Sequence, residues 1–275
     1  MKMIKSIVFP VFLVILIGGG CIKKNPPNNV PEIRSGILQG YLSKDEYPDS
    51  LALLPPPPDV GSAGFAMDQA ISNEALKFQG TARFELARKD ADLMFPALAE
   101  TFSCALGIPI TEELTPHLYM LMRRSLADAG LSSYAGKDYY QRQRPFMVND
   151  QPTCTPEEEE HLSGDGSYPS GHTAVGWAMA LILTQVAPER TDAILKRGRE
   201  FGESRIICNV HWYSDVLAGR MVGAAAVARL NSNAEFMAAI ESARVEVAKV
   251  KDTGMAFPDN CQKEKDAFKQ SLSLQ

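Results

Sequence analysis

From Ser62 onward, apolar positions recur at three- and four-residue intervals almost to the end of the chain. β-Branched alternating runs are few, and no Asn-Gly or Asp-Gly pair lies between strand-like segments. This pattern predicts an all-α fold, a helical bundle around one apolar helix. Thr115 followed by Pro116 marks a helix start, after which Leu118, Leu121, Met122 and Leu126 share one face as far as Gly130. A second helix is expected from near Lys137, ending before Pro145 because the residue ahead of a proline is steered out of the helical region. A third begins at Ser170 and carries the stretch Ala174 to Val186, apolar nearly all round, which predicts the central buried helix. Thr191 is the expected cap of a fourth running towards Cys208. A fifth spans Ser214 to Leu230, where Gly219, Gly223 and several alanines would let a neighbour approach closely. Ala234 to about Lys251 alternates apolar and charged positions and predicts a peripheral helix.

The chain before Ser62 has a different pattern. Lys2 and Lys5 precede an apolar run from Ile7 to Ile17, then come Gly18, Gly19, Gly20 and Cys21. This reads as an export signal over residues 1–20, too short for a bilayer span of about 20 apolar residues. Small residues leading into Cys21 resemble a lipoprotein cleavage box, which would make Cys21 a lipid anchor in the periplasm or cell envelope. Gly18 stands where such boxes usually carry Leu, and the alternative is a plain cleavable signal with Cys21 incidental. Residues 21–60 are rich in Pro, Asn and Lys and end in Pro55 to Pro58, which predicts a tether or surface strap outside the core. Residues 61–251 form the expected single domain and 252–275 a C-terminal tail.

Composition narrows the function. A chain of 275 residues, 45% hydrophobic and 22% charged, can bury one sizeable core. The net charge of -5 argues against a broad nucleic-acid footprint, so any anion site must be local. With Cys21 set aside, Cys104, Cys154, Cys208 and Cys261 are an even number in a chain sent to an oxidising compartment, and two disulfides are expected. Three pairings are open. Cys154 with Cys208 is favoured because both lie near the chemical motifs, and the alternative is that Cys104 and Cys208 are buried small hydrophobes. The acidic run Glu157 to Glu160 reads as a solvated turn rather than a metal loop.

Three segments concentrate groups that bind or transfer phosphate. Lys137 and Arg144 are seven residues apart, about two helical turns, which would aim both cations from one face. Ser170, Gly171 and His172 open the apolar helix, where free N–H groups and a partial positive charge attract an anion and Gly171 allows close approach. His211 and Asp215 are four apart, so the carboxylate can take the Nδ1 proton and leave Nε2 free as a base or nucleophile. Arg205 adds a planar fork. Each feature alone has a blander reading: solvated cations, a capped helix with a half-buried histidine, a surface His–Asp pair.

Taken in order, Lys-x6-Arg-Pro, Pro-Ser-Gly-His and Ser-Arg-x5-His-x3-Asp resemble the signature of the type 2 phosphatidic acid phosphatase superfamily with no position substituted. The stretches DSLALLPPPPDV from Asp49, GSYPSGH from Gly166 and the chain around Cys208 to Asp215 resemble the bacterial class A non-specific acid phosphatases. The likeness runs from about Tyr41 to Val250, and departs at the N-terminus and at Cys104 and Cys261. It implies a metal-independent acid phosphatase in which His211 attacks phosphorus and Asp215 fixes its tautomer. Lys137, Arg144, Arg205, Ser170 and Gly171 would hold the phosphate oxygens, and His172 would protonate the leaving alcohol and then activate water. No cofactor is implied, and vanadate is expected as a phosphate-mimicking inhibitor. A neutral His211 and a protonated His172 predict a bell-shaped rate profile with an acidic optimum.

The expected substrates are small phosphate monoesters such as nucleotides, sugar phosphates or aryl phosphates, with transfer to an alcohol as a competing outcome and a homo-oligomer as the expected assembly. Tyr168 and the loop around Glu157 are the candidates for the pocket mouth, and His117 and His161 read as structural or surface residues. Vanadium-dependent haloperoxidases resemble the same constellation and are the first rival. Lipid phosphate phosphatases resemble it as multi-span membrane proteins, whereas this chain shows no second long apolar run. A non-catalytic phosphate-binding envelope lipoprotein would explain the cations but not His211 paired with Asp215 opposite His172.

Overall fold

The computed structural model describes residues 26–27, 29–254, 261–270 and 272; the expected export signal and Cys21 lie outside them. A two-stranded antiparallel hairpin, β1 (Glu32–Arg34) and β2 (Ile37–Leu38), comes first. Helices follow: α1 (Ser50–Leu53), α2 (Ala63–Ala75), α3 (Ala82–Lys89), α4 (Ala97–Leu106), α5 (Pro116–Leu131), α6 (Tyr134–Tyr140), α7 (Phe146–Asn149) and α8 (Glu159–Ser163). The second half consists of α9 (Gly171–Val186), α10 (Thr191–Ile207), α11 (Tyr213–Leu230), α12 (Ala234–Asp252) and α13 (Cys261–Ala267). The fold is the helical type expected, and no described helix is long and apolar enough to cross a membrane.

The apolar helix α9 is the axis of the bundle, packed by α10, α11, α5 and α12. Its start is set by Ser170, whose Oγ accepts the Thr173 N–H at 3.2 Å, a cap worth about 1 kcal/mol. Ala174, Ala178, Met179, Ile182 and Leu183 are fully buried along it. Gly219 brings α11 against the same start: a Cβ there would sit 2.5 Å from the Ser170 carbonyl oxygen. The small residues thus fix how closely α11 lies to the N-terminus of α9, where the chemical motifs converge.

Several elements differ from expectation. The helix carrying Lys137 begins earlier, at Tyr134, and stops at Tyr140 because Gln141 adopts a left-handed conformation (φ 44°). Thr191 is the first residue of α10, not its cap, because a 3-10 turn over Pro188–Arg190 leads into it. The helix α12 buries one stripe, Phe236, Ile240, Ala243, Val247 and Val250, against α5 and α9, and two of its charged residues also reach α5: Glu246 accepts the His117 and Leu118 N–H groups and Glu235 pairs with Arg124.

The segment read as a strap outside the core contributes to it. Tyr41 and Leu42 join the main cluster, and Leu54 packs with Tyr168. The Asp128 carboxylate of α5 accepts the Tyr41 and Leu42 N–H groups at 2.8 and 3.0 Å, and Arg124 lies over the Tyr41 ring at 3.8 Å. Gly40 is required there, since a Cβ would fall 2.0 Å from Asp128 Oδ1. Polar anchoring, invisible in a hydrophobic pattern, is what folds this stretch onto the bundle.

Both disulfides are formed. Cys154 pairs with Cys208, the favoured pairing, and Cys104 pairs with Cys261, tying α4 to α13 so that part of the expected tail is packed on the domain.

Candidate active site

The three motif segments converge at the N-terminus of α9. Lys137 comes from α6, Arg144 from the turn after it, Ser170 to His172 from the start of α9, and Arg205 from the last turn of α10. His211 lies in the link before α11 and Asp215 in the first turn of that helix. Lys137 and Arg144 do meet, but not as two turns of one helix. With α6 ended at Tyr140, they converge instead on one acceptor: Asp165 Oδ2 lies 2.8 Å from Lys137 Nζ and 3.0 Å from Arg144 Nη2. Lys137 Nζ also donates to the Gly166 carbonyl at 2.5 Å.

The tautomer of His211 follows from its neighbours. Arg144 Nη1 lies 3.1 Å from His211 Nε2, and a guanidinium can only donate, so Nε2 carries the lone pair. The proton is then on Nδ1, which faces Asp215 Oδ2 at 3.3 Å. The Trp212 N–H donates to the same oxygen at 2.8 Å, and Arg142 Nη1 donates to the other, Oδ1, at 2.5 Å. Burial, followed by the Arg144, Lys137 and Arg205 charges, holds the His211 imidazole well below its usual range, so it stays neutral. Burial pushes the Asp215 carboxyl up, against the pull of Arg142.

Arg205 is the exceptional cation. It is 1% exposed, yet its Nε and Nη1 have no hydrogen-bond partner among the described residues. Burial and the nearby Arg144 push its guanidinium down to about 10. A buried donor left unpaired costs about 1–3 kcal/mol, so this side chain is built for an acceptor that arrives from outside. Lys137 and Arg144 are held low by burial as well. Gly171 lies beside them, and the position of its missing Cβ is 3.6 Å from Lys137 Cε.

His172 is held differently. Its Nε2 lies 2.9 Å from the Ala91 carbonyl oxygen, which can only accept, so Nε2 bears the proton and Nδ1 the lone pair. Burial, then the Arg205 charge, holds this imidazole well below its usual range too.

All eight motif residues, Lys137, Arg144, Ser170, Gly171, His172, Arg205, His211 and Asp215, belong to this one region. Tyr168 does not line the mouth: it is buried against Tyr140, and its hydroxyl donates to the Pro55 carbonyl at 2.7 Å. The acidic run crosses from a 3-10 turn into the start of α8 and is exposed except at Glu159, which is half-buried and accepts the Thr153 N–H; His161 is exposed on α8 and His117 is half-buried on α5. Among the described residues, no three His, Cys, Asp or Glu side chains are grouped to hold a metal ion. Sequence reasoning missed Asp165, Arg142 and the Ala91 carbonyl. The first two had a faint signal, since Asp165 directly precedes GSYPSGH and Arg142 lies inside Lys-x6-Arg-Pro. Nothing in the sequence marks a backbone carbonyl.

Comparison with known proteins places this geometry. Residues 117–234 match the PAP2 superfamily, a span that holds all eight residues. The chain is 47% identical over 227 residues to a non-specific acid phosphatase of Providencia stuartii, covering 82% of this chain and 91% of that protein. It is 39% identical over 214 residues to an acid phosphatase of Zymomonas mobilis, covering 78% and 81% of the two chains. A non-specific acid phosphatase of Salmonella typhi is also 39% identical, over 78% of this chain and 86% of its own.

Proposed function

The chain belongs to the PAP2 superfamily and is similar along most of its length to non-specific acid phosphatases, and from this we propose that it hydrolyses phosphate monoesters through a phosphohistidine at His211. One observation carries the reading: the lone pair of His211 Nε2 and the unpaired donors of Arg205 belong to the same buried site.

Substrate enters as an anion. Its non-bridging oxygens take the free N–H groups of Arg205, and the donors of Lys137 and Arg144 that Asp165 occupies in the free protein. The Gly171 N–H and the positive end of α9 add to this charge. His211 Nε2 then attacks phosphorus as the ester P–O bond breaks, forming a P–N bond and a positive imidazole facing Asp215. His172 takes up a proton on Nδ1, the nitrogen free to carry one, from the solvent as the substrate anion binds, and the departing alkoxide takes that proton and leaves His172 neutral. Neutral His172 next removes a proton from water, which attacks the phosphohistidine; the P–N bond breaks, phosphate leaves and both imidazoles are restored. An alcohol in place of water would give phosphotransfer. Three fixed cations stabilise the transferring phosphoryl group, so no step is routed through a metal.

Vanadate, which adopts the same five-coordinate geometry, is expected to compete for these donors. The apolar run after Lys2 and Lys5, followed by Cys21, supports export beyond the cytoplasm in this proposal, with a lipid tether at Cys21 or a plain cleaved signal as the two forms. The test is phosphate release from p-nitrophenyl phosphate at mildly acidic pH with excess EDTA. EDTA-resistant release that His211→Ala abolishes supports the mechanism; release that survives the substitution contradicts it.

A further inference from the structure

We propose that Arg142 is a positioning residue of the reaction, fixing the Asp215 carboxylate behind His211, with Asp68 of α2 as its counter-anchor. This rests on the reading that His211 and Asp215 do the chemistry. Arg142, with 9% of its side chain exposed, lies between two carboxylates exposed by 1% or less. Both ends of its fork are engaged. Nη1 donates to Asp215 Oδ1 at 2.5 Å and to Ser214 Oγ at 2.7 Å, and Nη2 donates to Asp68 Oδ2 at 2.8 Å. Asp68 is pinned in turn, its Oδ1 accepting the Ser214 N–H at 2.8 Å and its Oδ2 the Ser214 hydroxyl at 2.6 Å. The Trp212 ring lies 5.6 Å from the Arg142 guanidinium carbon, and Trp212 Nε1 donates to the Gln143 carbonyl, closing the turn that carries Arg142.

The consequence is a division of labour in the turn after α6. Arg144 faces His211 Nε2, the reacting nitrogen, while Arg142, two residues earlier, holds the far oxygen of the carboxylate that faces Nδ1. Asp215 has no freedom to rotate: Oδ1 is taken by Arg142, and Oδ2 by the Trp212 N–H and His211. A buried carboxylate is driven towards its neutral form, which could not steady a positive imidazole. Arg142 is the strongest influence opposing that. The other groups facing Asp215 are the imidazole of His211, the Ser167 hydroxyl, buried Tyr168, and more remotely Lys137 and Arg144. Of these, the Ser167 hydroxyl also hydrogen-bonds the carboxylate, but Arg142 is the one cation among the described residues that donates to Oδ1. Asp68 shares the Arg142 charge, so it moderates the same influence from α2.

The experiment uses the full chain and the variants Arg142→Gln, Arg142→Lys and Asp68→Asn, with wild type and His211→Ala as references. Each is assayed with p-nitrophenyl phosphate across pH, with inorganic phosphate as competitive inhibitor and circular dichroism as the check on folding. Arg142→Gln is expected to lower kcat about 10- to 100-fold, the usual scale for a partner that orients a reacting group. Phosphate inhibition should stay within about threefold of wild type, because Lys137, Arg144 and Arg205 are untouched. The acidic limb of kcat should move to higher pH, since Asp215 loses its cation and stays protonated further up. Arg142→Lys should restore most of the loss. Asp68→Asn should move the acidic limb the other way, because Arg142 then serves Asp215 alone. A folded Arg142→Gln with near-wild-type kcat, or with kcat and phosphate affinity falling together and the limb unmoved, would overturn the proposal. If Arg142→Gln fails to fold, the direction of the Asp68→Asn limb decides: downward supports it, upward or unmoved contradicts it. Activity surviving in His211→Ala would sink the reading of the site itself, whatever the Arg142 variants do.

Discussion

The two imidazoles of the site, His211 buried and His172 half-buried, are both held neutral, yet only His211 has a carboxylate among its partners. His211 points its N–H at a carboxylate, itself gripped by Arg142, while His172 points its N–H at the neutral carbonyl of Ala91. A carboxylate both orients an imidazole and steadies the positive charge that a phosphohistidine carries; a carbonyl only orients. The His211 end is therefore equipped for a group that becomes cationic in the reaction, and the His172 end for one that gains its proton only when an anion is beside it. Arg205 sharpens this difference. Its charge opposes protonation of His172 in the free protein, and a bound phosphate that takes up the Arg205 donors would cancel it.

The largest effect expected from breaking this pairing is at His211. His211→Ala should cost at least about 10³-fold in kcat for every substrate, because no nucleophile remains. Asp215→Asn comes next, at about 10²- to 10⁴-fold, through loss of the correct tautomer and of the balancing charge. His172→Ala should separate the two ends by leaving group. The loss should reach about 10²- to 10³-fold for alkyl phosphates and shrink to about tenfold for p-nitrophenyl phosphate, whose phenolate leaves without a proton. Gly219→Ala tests the distance between the two ends, since its Cβ would push α11, with Asp215, away from the start of α9, with His172. It should cost about 1–3 kcal/mol of stability by denaturant unfolding and lower kcat more than it raises KM.

The smallest effect is a difference in pH dependence. The depressed value of His172 applies to the free enzyme, and kcat/KM reports the free enzyme. Bound phosphate dianion raises that value, and kcat reports the complex. The basic limb should thus lie at lower pH for kcat/KM than for kcat. Coincident limbs would mean that substrate does not charge His172.

How much of this was legible in the sequence differs between the same two ends. The His211–Asp215 pair is local, four residues apart on one turn, and spacing alone predicts it. The partner of His172 lies 81 residues away and is a main-chain oxygen, which no residue type announces. The cations show the same limit. Lys137 and Arg144 were expected on one helical face, yet Gln141 ends α6 and Asp165 draws them together. The central helix α9, apolar all round, was readable throughout. Residues 37–54 were not, because Asp128 and Ser50 fasten them through backbone N–H groups, and a sequence does not say which polar side chain will accept which amide.

In the proposed cycle the phosphoryl group is carried on Nε2 of His211. The most direct measurement is to mix the enzyme with excess p-nitrophenyl phosphate at mildly acidic pH, quench with strong base within the first turnovers and locate phosphoryl groups by peptide mass spectrometry. The predicted result is one added phosphoryl group, stable to base and labile to acid, on the peptide carrying His211 and absent from Asp215-only peptides and from His211→Ala. A phosphoryl group on His172 or on Ser170, or a turning-over enzyme with none at all, would contradict the account.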